Sequence, residues 1–220
     1  MDARLKNADD LKKLIADIGF IPLFHAEGTE MLSVEALTYG QWWTGLKDDP
    51  WLWREKLSED HDILYGKFFS GRAGFIHKEW LPAFANYRRD GYDFDSRADE
   101  GLAPQKHLGI IGIVKREGRI LSSELKRETG VKGYEGAITL LQMQTYLMID
   151  GFGRRIDKNG RPYGWSIAYL SEPETRYGYD FVTSLYTESP EISLKRILTR
   201  AKDVCPQADE DMLLTLFAGR

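Results

Sequence analysis

Cysteine is almost missing from this sequence. Cys205 is the single one in 220 residues, so no disulfide can form within the chain, and a reducing compartment is expected. No stretch approaches ~18 consecutive apolar residues, which argues against a membrane span. The start, MDARLKNADDLKKL, lacks the apolar centre of a secretion signal, so the cytoplasm is the expected location. Histidines are few: His25, His61, His77 and His107 sit in no metal-ligand spacing and beside no candidate nucleophile. GKFFSGRAG has glycines but not the lysine-plus-hydroxyl ending of a phosphate-cradling loop. No cofactor and no metal is expected.

What is present fits a folded chain, with 42% hydrophobic and 29% charged residues. The net charge of −4 speaks against non-specific nucleic-acid binding, but its distribution is uneven. Residues 1–100 carry 13 Lys/Arg against 19 Asp/Glu, a balance of −6. Residues 101–165 carry 11 against 6, or +5, and residues 166–220 carry 6 against 9, or −3. A basic block between two acidic ones is the electrostatic feature to explain.

Periodicity places the elements. NADDLKKLIADIGF predicts an amphipathic helix with Leu11, Leu14, Ile15 and Ile18 on one face and Gly19 as its stop. LSVEALTYGQWW reads as a short helix capped by Ser33, and DDPWLWREKLSED as another, with Asp49 as cap and Pro50 at its first position. DILYGKFFSGRAGFI predicts a hairpin around Ser-Gly-Arg-Ala, and HKEWLPAFANYRRDG a helix stopped by Gly91. DGYDFDSRADEGLAPQ reads as an acidic linker closed by Pro104. Its Asp90, Asp93, Asp95, Asp99 and Glu100 lack the glycine of a calcium loop, so they are read as a solvated turn paired to nearby arginines, in which Asp90, Asp93 and Asp95 make helix-end and arginine contacts and bind no ion.

Beyond the linker come a helix ended by Gly118, a very short strand GRILS, and a helix capped by Ser122 or Ser123 and stopped by Gly130. A longer helix through GYEGAITLLQMQTYLM follows, then two strands joined at Asp-Lys-Asn-Gly, a strong hairpin signal. This is the order of a winged helix-turn-helix. Its outer helix face is expected to carry Tyr134, Glu135, Thr139, Gln142 and Tyr146, since Gln can read adenine edges. Its wing would offer Arg154, Arg155, Lys158 and Arg161 to a phosphate backbone. Ser189 and Pro190 then open a helix, and Pro206 separates it from a short last one. The expected fold class is α+β: a mixed N-terminal domain (1–100), a winged helix-turn-helix domain (101–171) and a helical tail (172–220).

Several residues admit two readings. Trp42, Trp43, Trp51 and Trp53 could stack on bases, although aromatics in a small helical domain more often form core. Cys205, before Pro206, is read as packing. Gln142 and Gln144 point about 200° apart if the helix continues through them, and share a face only on an extended backbone. The helical case turns Gln142 outward beside the wing and leaves Gln144 half-buried toward the core.

The strings YGKFFSGRAGFIHKEW, FANYRRDGYDFDSRADEGLA, LQMQTYLMI and GRPYGW resemble a family of small bacterial proteins described as AlkZ-related, distant kin of the winged-helix AlkZ/YcaQ-type DNA glycosylases. The resemblance covers most of the chain. It implies duplex DNA as partner. It also implies a role for Gln142 and Gln144, whose letters match a Gln-apolar-Gln motif that positions the hydrolytic water in those enzymes. The match lies mid-chain, and the chain is much shorter than the enzymes. The expected function is DNA binding; an active glycosylase for alkylated bases and a non-catalytic scaffold or dimerisation module are the alternatives.

Overall fold

The computed structural model describes residues 5–39, 41–46 and 49–219. Among these, helices surround one antiparallel sheet, an α+β architecture. Its strands are β1 (Phe20–Pro22), β2 (Ile63–Phe69), β3 (Arg72–His77), β4 (Ile120–Leu121), β5 (Met148–Ile156) and β6 (Pro162–Ser171), in the order β1-β3-β2-β5-β6-β4.

Local chemistry accounts for most boundaries. Helix α1 (Ala8–Ile18) buries Leu11, Leu14, Ile15 and Ile18, and Gly19 ends it at φ +92°. Ser33 caps α2 (Val34–Leu37), accepting from the Ala36 N–H at 3.1 Å. The helix suggested by LSVEALTYGQWW is thus shorter than its string and stops at Leu37; Gly40 lies outside the described residues. Asp49 caps α3 (Pro50–Ser58). The β2–β3 hairpin turns at Ser70 and Gly71, both at positive φ, as a tight primed turn requires. Helix α4 (Leu81–Arg89) ends one residue earlier than expected, at Asp90 in the left-handed region.

The stretch expected to be a linker holds α5 (Phe94–Asp99), whose Phe94 is buried. Asp93 caps it, accepting from Ser96 N–H at 2.8 Å. Asp95 pairs with Lys115, where an arginine was expected. Next come α6 (Gln105–Glu117), β4, α7 (Ser122–Thr129) and α8 (Tyr134–Met143). Ser122 is the first residue of α7 and not its cap; Leu121 precedes it with no capping side chain. β4 pairs with β6 and β5 with β6. The β5–β6 loop is organised by Asp157, whose carboxylate accepts from the N–H groups of Asn159 and Arg161 at 2.8 Å each. Short helices α9 (Pro173–Tyr177) and α10 (Tyr179–Val182), then α11 (Pro190–Val204) and α12 (Glu210–Phe217), complete the chain.

The sheet runs through the boundary expected near residue 101, because β2 pairs with β5 at Tyr65 and Ile149. Alternation along β2 serves two cores. Leu64 and Phe68 join Phe20, Phe84 and Phe217 on one side; Ile63 and Tyr65 join Leu11, Ile15 and Trp53 on the other. A third cluster, with Ile110, Val114, Leu125 and Leu141, lies among α6, α7 and α8.

Candidate nucleic-acid interface

The β5–β6 hairpin carries Arg154, Arg155, Lys158 and Arg161, all exposed. None forms an ion pair with a described residue. Asp157 is engaged by the turn's N–H groups, so the loop presents its cations to solvent. Tyr163 and Trp165 stand on the same hairpin, Trp165 at 78% exposure.

The helix next to it departs from expectation. Gln142 is 2% exposed, not turned outward. Its Oε1 accepts from the Lys67 N–H at 3.0 Å, and its Nε2 donates to Ile138 O at 3.3 Å. Tyr146 and Tyr134 are buried too, donating to the carbonyls of Tyr92 and Ser122. Thr139 is half-buried and accepts from Lys67 Nζ at 3.2 Å. For Gln142 and Thr139 the reason is the β2–β5 pairing, which brings Lys67 of β2 onto a face of α8 that a helix-wheel reading leaves free. Tyr134 and Tyr146 are instead buried in the third core cluster, Tyr146 against Phe94 of α5. Only Glu135 of the expected outer face is exposed.

Gln144 is half-buried, as expected, and lines a cavity of about 510 Å³ with Tyr87, Arg88, Asp90 and Arg97; Gln142 is not among its walls. Helix α8 ends before Gln144, and Thr145 takes φ +60°, an outlier for a β-branched residue. Arg89, fully buried, holds that turn. Its Nε donates to Thr145 Oγ1 at 3.2 Å and its Nη2 to the Thr145 carbonyl; its Nη1 reaches Tyr186 Oη at 3.2 Å and pairs with Glu174. Burial opposes the Arg89 charge, but Glu174 outweighs it and holds the guanidinium protonated above its usual range. Arg88 beside it donates to the carbonyls of Phe217 and Phe68, and burial pulls its pKa down. Sequence reasoning missed both arginines. Their one signal was position: a core-facing stretch of an amphipathic helix that continues into YRRD.

The tryptophans divide. Trp53 is core at 4% exposure, whereas Trp43 is 58% exposed. Trp42, Trp43, Trp51 and Phe24 form one ring cluster with centroids 5.2–6.4 Å apart. Arg54 lies between Trp51 and Phe152, 3.8 and 4.2 Å from their centroids. Burial works against its charge and lowers its pKa.

At its coarsest, then, this is a mixed α+β protein built on a single described antiparallel sheet, with a basic hairpin at one part of its surface. Within that class the chain belongs to the AlkZ-related family, whose model matches residues 5–218. That description relates it to AlkZ-like DNA glycosylases. No curated protein and no solved structure matches the chain.

Proposed function

We infer that the chain binds duplex DNA through a winged helix-turn-helix at about 101–171, using the β5–β6 hairpin as the wing. The observation that carries this reading is the set of four exposed cations, Arg154, Arg155, Lys158 and Arg161, with no described carboxylate partner. The order α6, β4, α7, α8, β5, β6, with β4 against β6, supports it, as does the family relation. Phosphate contact falls to the wing. Thr139, Gln142 and Tyr146 contribute to packing, since their polar atoms are already engaged within the fold.

Replacing Arg154 and Arg155 with Ala tests it. Binding of a paired duplex across a salt series should weaken, and its log–log salt slope should flatten by about one for each phosphate that the hairpin no longer neutralises. An unchanged slope in a folded variant would reassign the basic hairpin to a protein partner, the scaffold reading. For the glycosylase reading, the measurement is release of free base from alkylated duplex and its loss in Gln144→Ala.

A further inference from the structure

A second feature stands beside the hairpin. Trp43, just ahead of α3, Trp51 and Glu55 of α3, and Arg154, Trp165 and Ser166 of the hairpin line a cleft of about 200 Å³. That is below the ~300–1,000 Å³ of pockets that enclose a whole small ligand. It has room for one planar ring of a larger molecule that stays outside.

The cleft is built, not incidental. Trp43 is a non-glycine residue at φ +61°, a backbone region that L side chains rarely adopt, and it is mostly exposed. What holds it there is Asp49, 1% exposed, whose carboxylate accepts from the N–H groups of Trp43 at 3.1 Å, Gly45 at 3.0 Å and Trp51 at 2.9 Å. Burial disfavours the Asp49 charge, yet these donors keep it below the usual carboxylate range. Arg54 fixes Trp51 from within. Trp165 of β6 lines the same cleft with its side chain largely exposed. Glu55 accepts from Ser166 Oγ and so ties α3 to the hairpin.

Exposed indole faces bind flat π-systems, and bases stack on aromatic side chains with little regard to sequence. The rim is cationic through Arg154, with Arg155, Lys158 and Arg161 further along the same hairpin, which suits a phosphate backbone running past the opening. The carboxylate of Glu55, also on the cleft wall, can accept from the amino edge of a ring held in it. We propose that this cleft holds a single unpaired base of a DNA strand whose backbone lies on the β5–β6 hairpin. The proposal rests on the DNA-binding reading above and adds a ligand to it.

The experiment compares a fully paired duplex with the same duplex carrying one bulged adenine, at fixed salt, for the intact protein, Trp43→Ala, Trp165→Ala and Trp165→Phe. The intact protein should prefer the bulged duplex by roughly tenfold, given what stacking of one base is worth. Both alanine variants should lose that preference while holding paired-duplex affinity within about twofold; Trp165→Phe should keep most of it. Trp165 is exposed, so its variant decides the matter if Trp43→Ala unfolds. Equal binding of both duplexes by the intact protein would overturn base capture and leave the wing reading standing. Preference that survives Trp165→Ala would also overturn it. Failure to bind either duplex would remove both readings together.

Discussion

Two glutamines two positions apart meet different surroundings, and the difference predicts different losses. Gln142 satisfies the Lys67 N–H of β2 and a carbonyl of its own helix. Truncation leaves a strand N–H without its partner and opens space, costs that together reach about 1–3 kcal/mol. Gln144 has a half-buried side chain at the wall of the 510 Å³ cavity, so its truncation should change stability by less than about 0.5 kcal/mol. Denaturant unfolding of Gln142→Ala and Gln144→Ala checks this; equal losses would mean that the Lys67 hydrogen bond does not contribute. At this scale the caps were the legible part, because Ser33, Asp49, Gly118 and Gly130 act on their own neighbours in sequence. Arg89 was not legible. A run such as YRRD looks the same whether its arginines meet water or, as here, a carboxylate 85 positions away on α9.

Elements were legible where their chemistry is local and illegible where a partner made them. The β2–β3 and β5–β6 hairpins both showed through turn residues and alternating apolar runs. β1 is three residues long and exists because β3 offers it an edge; α5 sits in an acidic stretch and is held by one buried phenylalanine. Glycines separate the two cases cleanly. Gly74 of β3 lies between Pro22 and Gly66, and a Cβ there would sit 2.4 Å from Phe69 Cε2 and 2.7 Å from the Ile21 carbonyl. A backbone oxygen cannot step aside without breaking the β1–β3 pairing, so Gly74→Ala should cost about 3 kcal/mol, the upper end for overpacking. Gly112 of α6 is exposed, with nothing within 4 Å of an added Cβ. There Gly112→Ala should stabilise by about 0.5–1 kcal/mol through helix propensity. Thermal melts of the two variants should move in opposite directions; a stabilised Gly74→Ala would contradict the tight strand packing.

For the whole molecule, the uneven charge along the chain foretold the basic hairpin but not that one sheet would join the two halves, since a single β2–β5 register leaves no periodic mark. It also gave no sign of a buried acid. Glu172, 8% exposed at the junction of β6 and α9, has its pKa pushed up to about 7, chiefly by burial, with Lys115 and Arg89 pulling it down and Glu174 and Asp95 pushing it up. An acid raised in the fold binds a proton that the unfolded chain has lost, so stability falls as pH rises from about 4.5 to about 7 and is level above that. Asp49 and Asp93, held low, act oppositely, contributing stability above the unfolded carboxylate range that is lost as pH falls. His107, lowered by burial, likewise loses stability on acidification, over a window that overlaps that of Glu172. Comparison with Glu172→Gln isolates the one carboxyl, because the other groups are common to both proteins. The variant should match the parent near pH 4 and exceed it above pH 7 by on the order of 2 kcal/mol. Denaturant midpoints at pH 4, 5.5 and 8 measure the gap, and a gap that stays constant or narrows with rising pH would show that Glu172 is ionised inside the fold.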